Sequence, residues 1–175
     1  MPRLTTRTAL TTLGLSLLLL AASLGAPSAV AAATDAVNIV NAPYGTAGRT
    51  SQVKIDGLLG GVVTAGRMTV VIPPGAIAGT AVVTVTQPDT AQLVTELHIS
   101  PESLNHFCVP VQLVMRAGGL MSLPVLQGSR IEWYDPMRGQ WVPVPGSLVN
   151  LANMSLQAPL WHFSTYRATG GKAGW

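Results

Sequence analysis

The chain has 175 residues, of which 48% are apolar and only 10% charged, with 10 Lys and Arg against 7 Asp and Glu. Its 18 Gly and 13 Pro exclude a coiled coil or an ordinary helical bundle, and its apolar content excludes a disordered charged tail. A single cysteine excludes an internal disulfide framework and any multi-thiolate metal cluster.

Residues 1–33 read as a secretory signal peptide. Arg3 and Arg7 form a positive start, Ala9 to Leu24 is largely apolar, and Ala31-Ala32-Ala33 fits a small-residue cleavage site. The apolar run is short for a bilayer span of about 20 residues. The expected location is therefore secreted or cell surface, with no membrane span once the signal is removed. Without Arg3 and Arg7 the ten basic residues become eight, against seven acids, a net charge of about +1. The remaining bases are scattered, so no nucleic-acid partner is expected. Cys108, within Phe107-Cys108-Val109, reads as a small buried hydrophobe, or else as a thiol that pairs between molecules.

Residues 34–59 form a lead-in with two candidate strands, Ala36–Val40 and Gln52–Ile55, separated by the turn residues Pro43-Tyr44-Gly45. The sequence leaves open whether they pair with the main sheet. Beyond Gly60 the expected strands are Arg67–Ile72, Ala81–Thr86, Leu93–Ile99, Val109–Met115, Arg130–Tyr134, Gln140–Val144, Leu148–Leu151, Met154–Gln157 and Trp161–Ala168. Asp135 to Gly139 and Ala152-Asn153 read as hairpin loops. The Gly-rich segment 117–129 is the longest expected loop, and 169–175 a flexible tail. Short strands at regular spacing, with Pro scattered through would-be helices, predict an all-β sandwich or barrel.

Three groups of residues appear in a telling order. Gly60-Gly61 precede a strand ending Val71-Ile72-Pro73-Pro74-Gly75-Ala76. Leu97-His98-Ile99-Ser100-Pro101 is followed by Phe107 and Pro110-Val111. The hairpin Trp133-Tyr134-Asp135 to Gln140-Trp141-Val142-Pro143 is followed by His162-Phe163-Ser164-Thr165-Tyr166. Together, over Gly60 to Ala168, they resemble the domain named for zonula occludens proteins and Unc-five netrin receptors (the ZU-five domain), in its bacterial exported form. The resemblance implies an antiparallel β-sandwich that serves as an interaction or spacer module, not a metabolic enzyme. In eukaryotic relatives this domain stands beside death domains or cytoskeletal adaptors. Neither accompanies it here, so those partners do not transfer. Pro73, Pro74 and Gly75 read as a structural turn: proline fixes φ near −65° and glycine accepts the positive φ of a sharp reversal.

Two clusters are candidates for more than structure. The resemblance implies that His162-Phe163-Ser164 could cut its own chain, as some ZU-five and nuclear-pore proteins do. The Ser164 hydroxyl would attack the Phe163 carbonyl, His162 would take the proton, and water would open the resulting ester. In a regular strand the roots of His162 and Ser164 lie ~7 Å apart on one face. That is wide for proton transfer, and Trp161, Phe163 and Thr165 would fill the opposite face. The second cluster is Trp133, Tyr134 and Trp141 on one hairpin, either a cross-strand stack or a platform for sugar, envelope or protein.

Other chemistry lacks its residues. His98, His106 and His162 have no metal-ligand spacing, and no nucleophile elbow or phosphate-cradling loop is present. Glu102 and Asp89 read as solvated acids near turns. No cofactor is expected. The expected role is a non-catalytic interaction or structural module whose partner is an unidentified protein or envelope component.

Overall fold

The computed structural model describes residues 47–170. The expected signal peptide, the candidate strand Ala36–Val40 with its turn, and the tail beyond Gly170 lie outside these residues. The described chain is an all-β sandwich of two antiparallel sheets. The strands are β1 (Arg49–Asp56), β2 (Gly61–Ala65), β3 (Met68–Ile72), β4 (Thr80–Gln87), β5 (Val94–Ser100), β6 (Val111–Arg116), β7 (Arg130–Asp135), β8 (Gln140–Pro143), β9 (Leu148–Asn150), β10 (Ser155–Leu160) and β11 (Thr165–Thr169). One sheet runs β1-β4-β5-β11-β7-β8 and the other β2-β3-β6-β10-β9.

Alternation explains the layering. In β4, Ala81, Val83 and Val85 point inward while Val82, Thr84 and Thr86 point out. In β6, Val111, Leu113 and Met115 are buried between exposed Gln112 and Arg116. Leu97, Ile99, Met68, Val70, Ile72, Leu156 and Leu160 complete the contact between the two inner faces. Burying each large apolar side chain contributes roughly 1.5–3 kcal/mol, so this interface dominates the stability.

β1, which contains the candidate strand Gln52–Ile55, answers the open question for that part of the lead-in. It pairs with β4 along its whole length, from Arg49↔Gln87 to Asp56↔Thr80, and forms one edge of the six-stranded sheet. The turn after it locks into the Pro73-Pro74-Gly75-Ala76 turn. Gly57 N–H donates to Gly79 O at 2.7 Å, and Gly75 N–H donates to Gly57 O at 2.7 Å. Gly75 takes φ +79°, and Gly60 takes φ +67° at a place where an added β-carbon would run into the Ile72 carbonyl.

Several local expectations are corrected. β2 was hidden because Gly61-Val62-Val63-Thr64 follows directly on glycine turn residues; it pairs with β3 from Gly61↔Ile72 to Ala65↔Met68. β10 runs on through Pro159 to Leu160. Its neighbour β9 pairs only with Ser155–Gln157, so Pro159, which has no N–H, sits where that side of the strand is open. The 117–129 segment contains a short helix, α1 (Leu123–Gln127), started by Pro124 and seated through buried Leu126. Cys108 is exposed rather than buried. Phe107 turns inward and uses up the apolar side of that loop.

Candidate functional site

Between β10 and β11 the chain leaves strand geometry over residues 161–164. Phe163 and Tyr166, three apart, both turn into the core, which a regular strand forbids. The expected face of Trp161, Phe163 and Thr165 is therefore not formed: Trp161 is 57% exposed and Phe163 buried.

This excursion is held from every side. Phe107 N–H donates to Trp161 O at 3.0 Å, and Leu97 N–H to Ser164 O at 3.0 Å. Tyr166 Oη donates to His162 O at 2.6 Å. Asn105 grips both backbone groups of Phe163: its Oδ1 accepts from Phe163 N–H at 2.6 Å, and its Nδ2 donates to Phe163 O at 3.0 Å. The Phe163 ring meets Phe107 edge-on at 4.7 Å. Burial pushes the Tyr166 hydroxyl well above its ordinary value, so it remains a neutral donor.

The candidate base and nucleophile are employed separately. The Ser164 hydroxyl donates to Tyr134 O at 3.2 Å. The His162 ring packs edge-on against Trp133 at 4.9 Å, with Nδ1 3.3 Å from Phe163 O, which accepts when the proton is on that nitrogen. Asn105 was missed in the sequence. It lies 58 residues from Phe163, and nothing in Leu104-Asn105-His106 marks it.

The three hairpin aromatics are divided by the sheet. Trp133 points inward with Tyr166, its direct cross-strand neighbour. Tyr134 and Trp141 oppose each other on the outer face, with ring centroids 5.4 Å apart at 61°. Behind them the Arg167 guanidinium sits 4.2 Å over the Trp141 ring and binds the Glu132 carboxylate at 3.0 Å. Glu132, 7% exposed, also pairs with Arg130 at 3.1 Å. A buried carboxylate is tolerated here because two guanidinium groups and their hydrogen bonds surround it. The hairpin loop is fixed by Asp135, whose Oδ1 accepts from Met137 N–H at 2.9 Å and Arg138 N–H at 3.3 Å.

Tyr134, 37% exposed, also forms one wall of a cleft of about 370 Å³. The strand order sets His98 on β5 across from Tyr134 on β7, with Thr165 on β11 between them, and Glu102 and Ser164 complete the polar lining. A larger groove of about 730 Å³ lies at another end of the sandwich, between Leu93 and Val94 and the Leu120, Met121 and Val125 side chains around α1. Among the described residues no group of three or more His, Cys, Asp and Glu is placed to hold a metal, and no helix is long and apolar enough to cross a membrane.

Compared with known proteins, the chain matches no family model and no curated protein.

Proposed function

We propose that the protein is an exported, non-catalytic interaction or structural module of ZU-five-like type, with a contact surface centred on Tyr134. The observation that carries this is the bracing of that ring. Glu132 fixes Arg167, Arg167 covers Trp141, and Trp141 supports Tyr134 at the rim of a cleft. A rigid, half-exposed aromatic loses little side-chain entropy on contact, which is what makes such residues dominant in interfaces. Support for the ZU-five likeness comes from the Pro73-Pro74-Gly75 turn, the His162-Phe163-Ser164 string and the two-sheet fold. The partner is a protein or envelope component.

The test uses the labelled, exported full chain with intact cells and envelope fragments. Binding falls on Tyr134→Ala and is unchanged on Lys54→Ala, a substitution at the far edge of the same sheet. Absence of binding by the parent chain refutes the proposal.

One observation favours the second reading, self-cleavage between Phe163 and Ser164. Asn105 Nδ2 already donates to the Phe163 carbonyl oxygen, where negative charge would build after attack by Ser164. Reaction would first require the Ser164 hydroxyl to leave Tyr134 O and reach a basic nitrogen of His162. Intact mass of the exported chain distinguishes the two readings.

A further inference from the structure

The cleft beside Tyr134 has the composition of a site for a neutral, hydroxyl-rich ring. Four observations bear on its occupant, and all build on the Tyr134 contact surface proposed above.

The first is the division of its polar groups. Asn105 is spent on Phe163, and the Ser164 hydrogen on Tyr134 O. The His98 ring, the Glu102 carboxylate and the Thr165 hydroxyl line the same cleft and make no hydrogen bond among the described residues. They offer donors and acceptors at separated points, as a polyol requires.

The second is charge. Among the described residues no Lys or Arg lines the cleft, and the Arg167 guanidinium behind Trp141 is committed to Glu132. An anionic ligand such as a phosphate or a nucleic acid finds no unpaired cation there.

The third is the lack of a socket for a peptide. The apolar lining residues Leu97, Ile99 and Phe163 are themselves buried in the core, so no empty hydrophobic pocket awaits a side chain. Strands β5, β11 and β7, which carry the cleft, each have partners on both sides, so no backbone edge opens into the cleft itself.

The fourth is Tyr134 itself. It presents a ring at the wall of a cleft whose volume, about 370 Å³, falls within the range of small-ligand sites. An aromatic wall covers the C–H face of a sugar, while polar groups opposite take its hydroxyls.

We infer that this cleft binds a neutral saccharide, with Tyr134 stacked on one ring and His98, Glu102 and Thr165 bonded to its hydroxyls. Trp141 is a positioning residue that sets the Tyr134 ring. The natural occupant is one unit of an uncharged polysaccharide, the kind of surface polymer an exported module would meet.

The probes are uncharged hexasaccharides of glucose, mannose and N-acetylglucosamine, titrated into the exported full chain by calorimetry. At least one binds saturably. Tyr134→Ala and Glu102→Ala each weaken it about tenfold or more, while Tyr134→Phe retains it and melting temperatures stay near that of the parent. Glu102→Gln keeps a carbonyl acceptor and so retains most of the affinity; loss on Glu102→Gln alone would assign a cationic ligand instead and overturn the saccharide. Binding that survives both alanine substitutions overturns the location. If no hexasaccharide binds while Tyr134-dependent binding to envelope fragments persists and is destroyed by protease, the saccharide is wrong and the interaction surface stands. If neither binds, both fail.

Discussion

Asn105 and Phe163, 58 residues apart, are joined by two hydrogen bonds that mimic one rung of a β-ladder: 2.6 Å from the Phe163 N–H and 3.0 Å to its carbonyl. A side-chain amide replaces a neighbouring strand where the chain leaves sheet geometry. This lets Phe163 turn inward without orphaning its backbone groups. Asn105→Ala is expected to destabilise the fold by about 1–3 kcal/mol in urea denaturation, the cost of stranding those groups. Asn105→Asp keeps the acceptor but sets a carboxylate oxygen against the Phe163 carbonyl, so it should cost at least as much. Equal stability of all three proteins would refute the clamp.

The separate employment of Ser164 and His162 predicts an uncut chain. Denaturing mass spectrometry of the purified protein should show one species that includes residues 164–175, identical in form to Ser164→Ala. Loss of those twelve residues in the parent, abolished by Ser164→Ala, decides for self-cleavage.

Tyr166 supplies a pH signature. Its hydroxyl ionises near its ordinary value of 10.0 when unfolded and higher when folded, because burial disfavours the phenolate. The raised folded value means its contribution is fully present below pH 10 and is lost as pH rises. Above that point the unfolding free energy should fall by up to about 1.4 kcal/mol per pH unit from this group. Tyr166→Phe should remove this part of the slope and, by deleting the bond to His162 O, lower neutral-pH stability by about 1 kcal/mol. An unchanged alkaline slope in Tyr166→Phe would contradict the assignment.

The Glu132, Arg167 and Trp141 chain predicts coupling. Arg167→Met keeps most of the stem but loses the ion pair and the cation over the Trp141 ring. Arg167 is partly exposed and Arg130 still faces Glu132, so the expected loss is only about 1 kcal/mol. A double-mutant cycle with Glu132→Gln should show non-additivity, whereas the same cycle with Lys54→Ala should be additive.

Two glycines separate conformational from steric cost. At Gly75 an added β-carbon meets open space, so Gly75→Ala should cost about 1–2 kcal/mol, for φ +79° alone. At Gly60 the β-carbon would also run into the Ile72 carbonyl, so Gly60→Ala should be the more damaging. Thermal denaturation of the two variants side by side would check the order.

The sheets were legible because period-2 alternation is a strong local signal: Val83 and Val85, or Leu113 and Met115, declare their face without help from distant residues. β2 was not, since its exposed Val62 and buried Val63 follow two glycines and look like a turn. The residues of the 161–164 excursion have strand character, so the local pattern predicts a strand there. What bends it is the demand of Phe163 and Tyr166 for the same interior, met by Asn105 from another part of the chain. The cleft followed the same logic. Tyr134 was visible as an aromatic on a hairpin, but its separation from Trp133 and its opposition to His98 depend on strand order, which no local pattern encodes.

β11, the last strand described, lies in the interior of the six-stranded sheet, with β5 on one side and β7 on the other. Until it arrives, the sheet is two separate ribbons, β1-β4-β5 and β7-β8. A chain emerging N-terminus first therefore cannot close its larger sheet until Thr165–Thr169 has passed, and a product that stops before Thr165 would lose the keystone. Closure of the larger sheet thus depends on the arrival of this one strand, and a chain truncated before it is left with two unjoined ribbons.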